Sequence, residues 1–333
     1  LSDPVLNMGI PRLLLERGHK VITLSHLPAH DLDLSEDYPN LYWPFGQHIL
    51  SGAKLVAHHP NLYAVYLTNH GCGPDTMLSY LFRKEMGDKP YLQIEVDEHF
   101  SPVGVITRIE AFLQSLEGRP AQPLPAGFSL TSVVHRPTAV AAVPERTGGP
   151  LLVPDLPPFT AYLRAYCEAA WETETRTLRL DSTTLPLGRA ETSSKEYLPF
   201  PALLGGVLTA AEAESGPFQV LLPSTQGAEA DGQYPWGVET VLERQGLCRV
   251  KVIAPELETL PERCPEPDLL FRAFLVGDLL LCAPPEQRDA LAPAGVPGWA
   301  ELETLAAHIG AIPPEGRTLG IVGEPFTLFT LHD

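Results

Sequence analysis

The chain has 333 residues, 44% of them apolar and 8% aromatic, proportions that suit about two folded domains and exclude wholesale disorder or a fibrous repeat. Its 23 basic residues against 41 acidic ones give a net charge of −18, which argues against a nucleic-acid backbone or an anionic membrane surface as partner. Five cysteines lie far apart with no CxxC pair, which suggests neither a disulfide framework nor a self-contained zinc site and makes a reducing cytoplasm the expected compartment. No apolar run approaches the roughly 20 residues of a membrane span.

Taken in order, residues 9–18 read as a short helix with Pro11 near its start and Gly18 past its end, and residues 19–24 (HKVITL) as the strand after it. A helix with no strand before it leads to the expectation of a strand upstream of Leu1. Residues 26–43 carry Asp31, Asp33, Glu36 and Asp37 and read as a solvated acidic loop, and residues 44–57 as a helix. An apolar run at 64–67 then leads into a polar, glycine-bracketed cysteine, Cys72. Gly73 and Pro74 are suited to a helix N-cap and first turn, and Gly87 to that helix's end. A strand over 91–96 follows, then a helix that Ser101 can cap and Pro102 can open.

Prolines 120, 123, 125, 137, 144 and 150 break periodic structure and mark a boundary, although SLTSVVH within it reads as one strand. Beyond it strands begin at 151, 177, 218 and 249, alternating with helices over 159–171, 201–214, 236–246 and 268–281. This βαβα rhythm predicts an α/β fold with mostly parallel sheets covered by helices. The expected organisation is an α/β domain over 1–118, a linker over 119–150 and a second α/β domain over 151–333. A strand over 318–322 that opens a new unit gives the second domain a truncated C-terminal end. A faint echo between LLLERGHKVITL (13–24) and VLERQGLCRVKVIA (241–254) supports two similar α/β units.

Open α/β sheets bind ligands beyond the carboxyl ends of their strands. By that rule residues 68–75, 97–99, 223–227 and 323–325 are expected to line a cleft. Cys72 falls between a strand end and a helix start, where free N–H groups and the helix dipole favour a thiolate. The plainer alternative is a quiet strand-end cysteine, since an iron–sulfur cluster needs three or four such ligands. Asn69 and His70 flank it as donors or as turn formers. Glu95 and Asp97 alternate onto one side of their strand, as an acid–base pair, a metal site, or a solvated strand end. His58 and His59 adjoin a proline and are read as solvating a connection. Neither a GxGxxG nor a GxxxxGK[ST] loop nor a GxSxG elbow is present, and Gly148-Gly149 and Gly205-Gly206 do not follow strands as phosphate loops do.

Four segments stand in a telling order: DPVLNMGIP (3–11), LTNHGCGPDT (67–76), IEVDEH (94–99) and TRIEAF (107–112). Together they resemble the D-component-like portion of the 2-hydroxyacyl-CoA dehydratase family, most closely the large proteins in which such units are fused to an acyl-CoA dehydratase activase. SSKEYLPFPALL (193–204), PSTQGAEADGQY (223–234) and GIVGEPF (320–326) extend the likeness more weakly through the second half. The resemblance implies two Rossmann-like or flavodoxin-like domains. It also implies an electron-transfer system in which an activase ATPase passes an electron to a [4Fe-4S] cluster that reduces an acyl-CoA thioester. Cys72 would be a cluster ligand, with Asn69, His70 and Asp75 around it tuning the potential. The chain departs from the family where second-half cysteines are replaced by Pro199 and Glu229, neither a usual cluster ligand. A fragment of this kind is expected to be catalytically silent and to lack the cluster by itself. Two further readings stay open: a cluster-free scaffold that docks the activase or a partner subunit, and a small-molecule binding domain using the strand-end cleft.

Overall fold

The computed structural model describes residues 7–39, 41–69, 73–96, 101–130, 140–146, 148–193, 195–225 and 230–312. It is mixed α/β with parallel sheets, as the rhythm predicts. Two compact units are present, one of residues 1–138 with 226–230, the other of residues 139–225 with 231–333. Among the described residues no helix is long and apolar enough to cross a membrane.

The first unit contains α1 (Ile10–Glu16), α2 (Pro44–His58), β1 (Ala64–Asn69), α3 (Asp75–Met86), β2 (Tyr91–Val96) and α4 (Pro102–Leu116). β1 and β2 run parallel with Ala64 opposite Tyr91 and Asn69 opposite Val96. Ile10 and Leu14 of α1, Ile94 of β2, and Val105 and Ile109 of α4 form one buried cluster, against which Val21, Val65, Leu67, Leu92 and Val96 pack. Prolines begin α2 and α4 because the first turn of a helix has N–H groups with no partner to lose. Gly87, at a positive φ of 54°, ends α3 by accepting a backbone turn that a β-carbon resists.

Two expectations fail in this unit. Residues 19–23 form no strand; they run into a 3-10 turn (Leu24–His26), where the Thr23 hydroxyl meets His26 Nδ1 at 2.8 Å. A strand is defined by its ladder, and among the described residues no neighbour pairs with this one. The acidic loop is not uniformly solvated either. Leu34, Tyr38 and Leu41 are buried in it, and Asp37, 2% exposed, forms an ion pair with Lys54 of α2, 7% exposed. His58 and His59 stack and abut the Phe128 ring at 5.2 and 5.3 Å, while Asn61 exchanges two hydrogen bonds with the Gln122 backbone, so the start of the proline-rich stretch is fastened to the first unit.

The second unit contains β3 (Leu151–Pro154), α5 (Thr160–Trp171), β4 (Thr175–Leu178), α6 (Leu185–Glu191), α7 (Pro199–Ala213), β5 (Phe218–Leu221), α8 (Tyr234–Gln245), β6 (Val250–Ile253), α9 (Leu269–Cys282), α10 (Arg288–Leu291) and α11 (Trp299–Gly310). Its sheet is wholly parallel in the order β4-β3-β5-β6. The chain steps to one side after β3 and to the other after β4, so the reversal falls between β3 and β5. β3 and β5 are buried at every position, the pattern of strands covered on both faces. Ala141 joins the outer edge of β6 as a parallel bridge.

α6 and α7 meet with almost no side chain between them. A β-carbon on Gly188 would lie 1.8 Å from the Pro201 carbonyl oxygen, and one on Gly205 2.2 Å from that of Thr184. Gly206 similarly faces the Arg179 carbonyl at 2.7 Å. The Gly205-Gly206 pair therefore serves close helix packing. β4 begins two residues earlier than residue 177, and α6 and α11 have no counterpart in the expected elements.

Candidate functional site

The crossing from β1 to α3 is built on a side-chain clamp. Thr68, buried near the end of β1, donates its hydroxyl to Asp75 Oδ2 at 2.7 Å, and Asp75 is the first residue of α3. An ionised aspartate suits the positive end of a helix, and the hydroxyl fixes where that end sits against the strand. Gly73 supplies the turn at φ 56°, and its carbonyl accepts the Thr76 hydroxyl at 2.9 Å. Pro74 takes the N-cap position, one place before the start of the helix.

A polar layer continues inward from the clamp. Tyr66, two residues before Thr68 on β1, stacks on Phe82 with centroids 4.4 Å apart. Burial first, and the Asp75 carboxylate second, push the Tyr66 phenol well above its ordinary range, so it stays protonated. Ser79, one turn after Asp75, accepts a hydrogen bond from Gln93 Nε2 of β2 at 3.1 Å. Alternation along β1 puts Tyr66 and Thr68 on one face, a signal in the sequence that reasoning about Cys72 alone passes over.

Of the expected site residues, the structure joins Asp75 to Thr68. Asn69 is the last residue of β1, opposite Val96, and its side chain lies outside the described set. His70 and Cys72 lie outside the described residues, as do Asp97, His99 and Glu229. Glu95 stands opposite Thr68 in the β1–β2 register.

The second unit repeats the device. Thr225, just past β5, donates its hydroxyl to Asp231 Oδ1 at 3.1 Å, and the same oxygen accepts the Gly232 N–H at 2.8 Å before α8 begins. A third instance follows β3: Thr160 at the start of α5 donates to Asp155 Oδ1 at 2.8 Å while accepting the Leu156 N–H at 2.7 Å. The Asp155 and Thr225 clamps stand after β3 and β5, the two strands that flank the reversal of strand order, where open α/β sheets hold ligands.

The donor set for a metal cluster can be tested against the described cysteines. Cys167 sits in the core with Leu151, Val153, Ile253 and Cys264; burial above all, then Glu168, pushes its thiol up to about 12. Such a thiol offers no thiolate at neutral pH. Cys248 and Cys282 are exposed and free. Pro199, where the resemblance puts a cysteine, is a buried first residue of α7 and has no ligating atom. Among the described residues no group of three or more His, Cys, Asp or Glu side chains could hold a metal ion, so these residues do not furnish a cluster site.

Comparison with protein-family models, with curated proteins and with solved structures gives no match in any of the three.

Proposed function

We propose that this chain is the D-component-like part of an activase-associated, 2-hydroxyacyl-CoA dehydratase-like protein, with Cys72 as its retained cluster-type thiol and the second unit as a cluster-free body. On this reading both units are Rossmann-like or flavodoxin-like domains. The β4-β3-β5-β6 order, with helices between parallel strands, supports that for the second. The observation that carries the proposal is the pairing of motif and clamp: Thr68 and Asp75, both within the LTNHGCGPDT segment, join the end of β1 to the start of α3. The chain's contribution is positional. Thr68 and Asp75 fix the span between strand end and helix start. The partners implied are an activase ATPase domain or subunit and an acyl-CoA thioester, in the cytoplasm.

A second reading, a scaffold that docks the activase without any cluster, is favoured by Pro199, whose burial at the head of α7 leaves no ligand there. One experiment divides the two. The full-length protein that carries this chain and its Cys72→Ser variant are purified anaerobically, then analysed for bound iron and a broad charge-transfer absorption. Iron held by the parent and lost from the variant is the result expected for a ligand at Cys72. Iron-free protein in both cases overturns the ligand role and leaves the scaffold.

A further inference from the structure

α9 (LLFRAFLVGDLLLC) carries apolar residues on more sides than its core face uses. Its Ala273, Val276 and Leu280 share a buried cluster with Leu302, Leu305 and Ile309 of α11. On another side Phe271 is 61% exposed, and Phe274, three residues on, is 39% exposed. Trp299, at the head of α11, is 48% exposed, and its ring centroid lies 6.0 Å from that of Phe271. Phe274 in turn meets the ring of the buried Phe159 at 6.2 Å. Single apolar side chains are ordinary on a protein surface, but adjoining rings anchored to the core form a patch of the kind that marks a contact.

The rim of this patch is negative. Glu266 and Asp268 stand at the head of α9 with side chains 67% and 44% exposed, and Asp268 accepts the Trp299 indole N–H at 2.8 Å. Asp278 lies one turn beyond Phe274 and Glu303 one turn beyond Trp299, each exposed and on the side of its helix that carries the ring. The cation among them, Arg272, is buried and spent on Glu266, Asp268 and the Pro297 carbonyl at 2.6, 3.1 and 2.8 Å.

Charge decides what such a patch can take. A second copy would bring the same carboxylates and a net charge of −18 against these, and an anionic membrane repels the patch for the same reason. A partner with cations around an apolar stripe satisfies both rings and rim. The two helices satisfy their own backbone groups and offer side chains only, so a strand would find no ladder here, whereas a helix needs none. We propose that the Phe271–Phe274–Trp299 face is a docking surface for a basic amphipathic helix of a partner protein. The apolar stripe of that helix covers the rings, and its lysines or arginines pair with Glu266, Asp278 and Glu303.

The probe is a labelled helical model peptide of leucine and lysine, with leucines at i, i+3, i+4 and i+7, titrated into the whole chain and followed by fluorescence anisotropy. Binding is expected for this peptide and not for its counterpart with glutamate in place of lysine. Phe271→Ser is expected to weaken it about tenfold or more, as truncation of a covered aromatic anchor does. Asp278→Asn combined with Glu303→Gln is expected to weaken it less and to reduce its dependence on salt. Phe45→Ser removes a ring 84% exposed in the first unit and is expected to leave binding unchanged. The proposal is overturned if the lysine peptide does not bind, if Phe271→Ser has no effect, or if Phe45→Ser weakens binding as much. Self-association of the chain that Phe271→Ser abolishes overturns it in favour of a second copy. Trp299 closed to acrylamide quenching in the unbound chain, read as the difference from Trp299→Phe, overturns it by showing that the chain itself covers the face.

Discussion

The crossings β1→α3 and β5→α8 use one frame for different contents. Each leaves a parallel strand, and each is closed by a threonine hydroxyl on an aspartate at the helix approach, at 2.7 and 3.1 Å. In sequence, Cys72 falls between the first pair and Glu229 between the second. The surroundings differ too. The first clamp stands beside the buried Tyr66 and the hydrogen bond from Gln93 to Ser79, whereas the second unit has α6 and α7 packed backbone to backbone through Gly188 and Gly205. Strand-to-helix geometry is thus kept by a Thr–Asp pair in both crossings, while the packing around the pair differs.

Four substitutions probe that comparison, in decreasing order of effect. Lys54→Met leaves Asp37 buried without its cation and is expected to destabilise the first unit by about 3–5 kcal/mol, with much of the loss regained in Lys54→Met/Asp37→Leu; chemical denaturation measures both. If the double variant is no better than the single one, the ion pair is not what fastens the acidic loop to α2. Gly205→Val drives a side chain into the Thr184 carbonyl and is expected to lower stability by about 3 kcal/mol, acting on the second unit without touching the Thr225 clamp. The smallest effect sharpens the comparison most. Thr68→Val and Thr225→Val each remove one hydroxyl from a charged acceptor and are expected to cost roughly 1.5–3 kcal/mol, the former more because Thr68 is 5% exposed and its bond shorter. Equal losses would show that the polar layer beneath Thr68 adds nothing to its clamp.

Much of the fold was legible in the sequence because the signals were local. Pro44 and Pro102 open helices, Gly87 and Gly246 end them at positive φ, and the β-branched run VKVI forms β6. The failures share a cause, since each depends on residues distant in the chain. HKVIT has the composition of a strand, but a ladder needs a neighbour. Asp37 belongs to a run of acids that looks solvated, and its burial is decided by Lys54 on α2. α6, with Pro186 and Gly188 in seven residues, has poor intrinsic helicity and exists because α7 offers a glycine surface to lie on. At the candidate site, Asp75 was singled out only through the family resemblance, and its partner Thr68 became meaningful only once the strand register was known.

Cys167 lends itself to a use that has nothing to do with catalysis. The residue is 1% exposed and burial pushes its thiol up to about 12, so alkylating reagents at neutral pH meet it only when the second unit opens. Once the exposed Cys248 and Cys282 have been blocked, the slow labelling of Cys167, read by peptide mapping apart from Cys72 and Cys264, becomes a clock, and its rate converts into the free energy of opening around α5 without any engineered probe.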